Sequence, residues 1–167
     1  MSARPTRRRP RGFTLLEVVT VVAIVGVVAA VAAPSISAAL AANRFQAAAR
    51  ALVGVTRQAR GAAITRRDVR GITPRTVGLR VVSATQLQTF ADPDDEDDGD
   101  EVLMETFDLA GFDATRAIEF DPAAIGSVVR FDRRGSASAA ATYVLVQRRQ
   151  GLRRTITLAT SGLASVD

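Results

Sequence analysis

The sequence predicts an α+β fold in which one long amino-terminal helix packs on antiparallel sheets. Three observations lead there. Phe13 to Ala33 is apolar apart from Thr14, Glu17 and Thr20. Residues 35–66 are alanine-rich and keep an apolar stripe at helical spacing. From Gly71 onward the apolar residues recur at every second position instead. A chain of 167 residues has room for one domain with an appendage of this kind.

The elements follow in order. Residues 1–12 carry Arg4, Arg7, Arg8, Arg9 and Arg11 and no acid, which is the whole net charge of +5. The rest of the chain balances 17 arginines against 17 acids, so net charge is no argument for a nucleic-acid partner. The charge is also blocked: residues 13–80 are basic, 81–121 acidic and 122–167 basic again.

As a helix, Phe13–Ala33 spans about 31 Å, the thickness of a bilayer core. The arginines before it keep residues 1–12 on the cytoplasmic side, and the carboxyl terminus is exported. An ordinary secretory signal would be cut after the apolar run, and Val31-Ala32-Ala33-Pro34-Ser35 offers such a place. Beyond Pro34 the helix is expected to continue as an amphipathic half over 35–66. Phe45, Leu52, Val55 and Ala59 form its apolar stripe, and Arg44, Arg50, Arg57 and Arg60 fall largely off it. Pro34 lacks a backbone donor and should kink or loosen the helix at the junction.

Residues 67–167 read as a β domain. "TVGLRVV", "TQLQTFA", "EVLMETF", "TRAIEFD", "SVVRFDRRG", "TYVLVQRR" and "RRTITLAT" are seven short strands with turn residues between them. The apolar residues of these strands, such as Val129, Phe131, Val144 and Leu158, are expected to cover the helix stripe.

The amino-terminal pattern resembles the type IV pilin and pseudopilin signal. A basic leader, Gly12 and then "FTLLEVV" carry the resemblance, and Gly26 and Pro34 fall where pilins often have glycine and proline. It implies that residues 1–12 are a leader cut between Gly12 and Phe13 by a prepilin peptidase, with N-methylation of Phe13. It makes Glu17 the family's near-invariant acid. Residues 13–34 would then be the transmembrane and filament-core half of the helix.

Physical chemistry gives that acid a partner. Cutting at Gly12 creates an ammonium on Phe13 in apolar surroundings. A buried unpaired ammonium and a buried unpaired carboxylate are each costly, so Glu17 would neutralise the amine of its own chain or of an adjoining subunit. A misregistered subunit would bury both charges unpaired, so the pair can act as an assembly salt bridge that sets register.

The carboxyl-terminal part resembles the minor pseudopilin H and FimT group. There a V-x-F-x-x-x-G turn precedes two strands, an arginine-rich turn and a terminal strand opening with glycine. Val129, Phe131, Gly135, Arg153 with Arg154, and Gly162 match it. Gly162 is followed by Leu163, where that group typically has arginine. The resemblance implies a pilin-like molecule whose periplasmic domain is β-sandwich-like. It also implies an inner-membrane anchor, other pseudopilins as partners, and an inner-membrane assembly platform.

Two functions follow. The first is a minor pseudopilin of a type II secretion machine. The second is a FimT-like minor pilin of a type IV pilus, acting in assembly or DNA uptake, with Arg133, Arg134, Arg148, Arg149, Arg153 and Arg154 tracking phosphates. Phe131 and Tyr143 sit in strand patterns and read as core, not as base-stacking platforms. An enzyme is not expected: without histidine, cysteine or lysine the usual nucleophile–base pairs cannot be built, and no phosphate-binding glycine loop is present.

The acidic loop 92–101 has one further reading. Asp94, Glu96, Asp98, Gly99, Asp100 and Glu105 follow the spacing of a calcium-binding loop, with carboxylates on alternate residues and a glycine for the turn. Against it, Glu101 stands where an aliphatic anchor is usual. A solvated acidic loop between strands is the simpler account of the run.

Overall fold

The computed structural model describes residues 13–66, 68–94, 99–113, 115 and 117–167. Its first element is the helix α1, Leu15–Thr65. Thr14 starts it: the Thr14 hydroxyl accepts from the Glu17 backbone N–H at 3.2 Å, and the Thr14 carbonyl accepts from Val18 N–H. Arg66 ends it in the left-handed region, with φ of 48°, although no glycine stands there. Pro34 lies inside the helix.

Two units divide the chain, residues 1–39 and residues 40–167. In the first, the large apolar side chains are exposed, Phe13 at 81% and Leu16 at 75%.

The second unit holds eight strands in two antiparallel four-stranded sheets. In chain order they are β1 (Thr76–Val81), β2 (Gln86–Asp92), β3 (Val102–Asp108), β4 (Ile118–Phe120), β5 (Val128–Phe131), β6 (Ala141–Gln147), β7 (Leu152–Leu158) and β8 (Ala164–Val166). One sheet has the order β3-β2-β1-β5 and the other β4-β6-β7-β8. The seven strands read from the sequence are all present. The eighth, β8, has three residues, too short for alternation to register, though Gly162 had marked its approach by resemblance.

Helix and sheets share one core. Phe45, Leu52, Val55 and Ala59 are buried in it together with Val77, Leu79, Leu87, Val129, Phe131, Tyr143, Leu145, Ile156 and Leu158. The long helix packed on antiparallel sheets is therefore the α+β arrangement expected. Alanines 48, 49, 62 and 63 line the same helix face and are buried too. Val144 departs from expectation. Its neighbours Tyr143 and Leu145 face inward, so alternation turns Val144 outward, where it is half-buried.

The connection between β6 and β7 also differs. Gln147 pairs with Leu152, so the turn is Arg148 to Gly151. Arg153 and Arg154 are strand residues paired with Val146 and Leu145, not the arginine-rich turn that the resemblance implied. Gln147 is buried, and its Oε1 accepts from Gln150 N–H at 2.6 Å, closing that turn.

Candidate functional site

Phe13, Thr14 and Glu17 stand at the start of a helix whose first half exposes an apolar surface all round. Among the described residues, α1 is long and apolar enough to cross a membrane. Such a surface is stable in lipid or against other apolar helices, not in water. Glu17 occupies the first turn, where the positive end of the helix dipole favours an acid. Thr-x-x-Glu before an apolar run is the sequence form of a capping box, and "TLLE" carries that signal for the helix start. Gly12 and the leader lie outside the described residues.

The acidic loop is anchored at both ends. Asp92 closes β2, is fully buried, and its Oδ2 accepts from Arg130 Nε at 3.2 Å. Glu101 precedes β3 and takes two arginines, Arg80 at 2.7 Å and Arg130 at 3.2 Å. Both guanidinium groups lie over the Phe90 ring, 4.8 and 5.6 Å from its centroid. Phe90 in turn lies across Gly78, where a Cβ would overlap the ring. This cluster sits on the face of the first sheet turned away from the helix. Periodicity could not show it, because its members come from three strands and a loop.

The carboxylates that converge are Asp92, Asp94 and Asp100, with one oxygen from each within 4.8 Å of the others. Of the calcium set read from the sequence, Asp94 and Asp100 belong to this group. Glu96 and Asp98 lie outside the described residues. Glu105 does not join it: it is inside β3 opposite Thr89, three strand positions from Asp92 and so about 10 Å along the strand. It lines a cavity with Val55, Gln58, Asp68 and Met104 instead. The calcium-loop spacing is thus broken by the start of β3.

Of the arginines read as a phosphate-tracking set, four lie on the β6–β7 hairpin and two of those pair with acids. Arg148 pairs with Glu119 at 2.6 Å and Arg153 with Asp121 at 3.4 Å. Arg149 lies near Asp113, whose carboxyl is held below its ordinary range by the Thr115 hydroxyl and backbone N–H. Arg154 lines a small cavity with Ala42, Phe45 and Leu152. Arg133 and Arg134 lie elsewhere, on the β5–β6 turn beside Arg75. Phe131 and Tyr143 are buried core residues, as read.

The motif glycines have a structural account. Gly135 and Gly162 both have positive φ, 78° and 77°, and Gly162 stacks against the Gly135 carbonyl. The Arg60 Nε–H donates to that same carbonyl at 2.9 Å. Arg60, off the apolar stripe as expected, is a tie between the helix and two turns.

No curated protein and no solved structure matches the chain significantly. Two family models do. The prokaryotic N-terminal methylation motif matches residues 7–33. The family of type II transport protein GspH matches residues 48–162, the sheet-covered end of the helix and nearly all of the β domain. Since that match covers more than half of the chain, the protein belongs to the GspH family and is a type IV pilin-like pseudopilin.

Proposed function

We propose that the protein is a minor pseudopilin of a type II secretion system, a structural subunit of the short filament that drives export across the outer membrane. The observation that carries this reading is the exposed apolar half of α1 with an acid in its first turn, lying under the methylation motif. Residues 1–12 are the cytoplasmic leader, cut after Gly12 by a prepilin peptidase. Phe13 becomes the N-methylated terminus, and residues 13–34 anchor the chain in the inner membrane with the β domain in the periplasm. On extraction by the assembly platform, the same apolar surface passes from lipid to the helices of neighbouring pseudopilins. Glu17 then meets the Phe13 amine of its own or a neighbouring chain, and only correct register pairs both charges. Pro34 loosens the helix where the membrane half meets the amphipathic half.

In support of this reading over DNA capture by a type IV pilus, Arg148 and Arg153 each lie beside an acid. Intact-mass measurement on membrane-extracted protein tests it. The expected mature chain begins at N-methylated Phe13. A mature terminus at Pro34 or Ser35 would overturn the proposal and make the apolar run an ordinary secretory signal.

A further inference from the structure

The two sheets have four outer strands, β3, β5, β4 and β8. The edge of β5 is closed by residues 136–138: Ser138 N–H donates to the Arg130 carbonyl at 2.8 Å, and Phe131 bridges Ala137. β4 and β8 have three residues each. β3 has seven, and among the described residues its only backbone ladder is with β2. An open edge of this length offers its outward N–H and C=O groups to another extended chain.

We propose that the β3 edge accepts, by strand addition, an extended segment of a neighbouring polypeptide that carries arginine or lysine among apolar side chains. Charge selects that occupant. From Gln86 to Asp113 the chain has no basic residue, and β3 itself carries the exposed acids Glu105 and Asp108. Two β3 edges from like copies would bring these acids face to face, which disfavours a second copy. A bulge between Leu103 and Glu105 further spoils self-pairing and leaves Glu105–Asp108 as the regular run. Leu103 is 42% exposed, and Met104 and Phe107 are only partly buried, so the edge has apolar surface to cover. Beside it opens a cavity of about 330 Å³ lined by Asp68, Arg70, Met104 and Glu105.

The test uses the full-length protein in detergent and three blocked octapeptides: alternating Arg-Val, the same peptide N-methylated at alternate residues, and alternating Glu-Val. Backbone hydrogen exchange over 102–108 is read with each. The Arg-Val peptide should slow exchange there by about tenfold or more, and the other two should not. Glu105→Arg, on an exposed position that leaves the core intact, should weaken Arg-Val binding by about tenfold, and Asp108→Arg should also weaken it. Equal binding of the N-methylated peptide would show that the acidic loop attracts it by charge alone and would overturn the proposal. So would protection confined to residues outside 102–108, or no binding at millimolar peptide.

Discussion

Arg60 of the helix donates its Nε–H to the carbonyl oxygen of Gly135, 75 residues further on, at 2.9 Å. Gly162 packs on the same carbonyl and on the Arg60 side chain. One guanidinium thereby fastens the β5–β6 turn and the β7–β8 turn to the helix. Gly162→Ala should destabilise the domain by about 3 kcal/mol or more, since the new Cβ would overlap backbone as well as strain a positive φ. Gly151→Ala, also at positive φ but in open space, should cost only about 1–2 kcal/mol. Urea midpoints compare the two, and equal losses would mean that the turn-on-turn packing contributes nothing.

Leu52 is fully buried against the sheets and Arg50 is exposed on the same helix. Leu52→Ala should cost about 2–5 kcal/mol, transfer and cavity together. Arg50→Ala should cost about 0.5 kcal/mol or less. Urea unfolding of both variants checks the ordering, and equal midpoints would contradict the packing of helix on sheet.

Arg130→Ala should be far more harmful than Arg153→Ala. Asp92 is fully buried, and the substitution removes a guanidinium that donates to both Asp92 and Glu101, a loss of about 3–5 kcal/mol. Arg153 is largely exposed, so its pair with Asp121 should contribute under about 1 kcal/mol. Thermal unfolding of the two variants would reveal a comparable loss if the Asp92 pair were merely decorative.

The Tyr143 hydroxyl is buried without a hydrogen-bond partner among the described residues, and burial pushes its pKa up to about 12. The folded state therefore favours the neutral phenol. Its contribution is fully present below the unfolded pKa of about 10 and is lost as pH rises from there to about 12, by up to roughly 2–3 kcal/mol. Tyr143→Phe should flatten that alkaline fall. At neutral pH it should leave stability unchanged or raise it by about 1 kcal/mol, because no buried donor is left unpaired. Denaturant midpoints between pH 7 and 11.5 test both, and an unchanged alkaline slope would exclude Tyr143 as its source.

Glu17→Ala should still be cut and inserted, because the leader, Gly12 and the apolar run are intact. It should assemble poorly, since the Phe13 amine loses its counter-charge. Crosslinking to other pseudopilins in membranes reads the effect, and wild-type incorporation would contradict the pairing mechanism.

The helix, its apolar half and seven of the strands were legible from residue order alone, because each is a local periodicity of 3.6 or 2 that no distant contact is needed to reveal. The methylation motif was legible for the same reason: the six consecutive positions from Gly12 to Glu17 and a charge pattern carry the signal. The three-residue β8 lay below what alternation can register without its β7 partner. Long-range relations were not written in spacing. That Arg60, off the apolar stripe, is a tie depends on two glycines brought to it from beyond residue 130. That the acidic run begins in buried Asp92 and ends in Glu101, both held by Arg130, depends on β5 pairing with β1. Glu105 left the calcium spacing because β3 had already begun, and ladder hydrogen bonds outweigh a loop's freedom to converge on an ion. Local order thus determined which elements form and which half of the helix is apolar, while the tertiary structure decided which charges find one another, since pairing energy depends on distance in space and not along the chain.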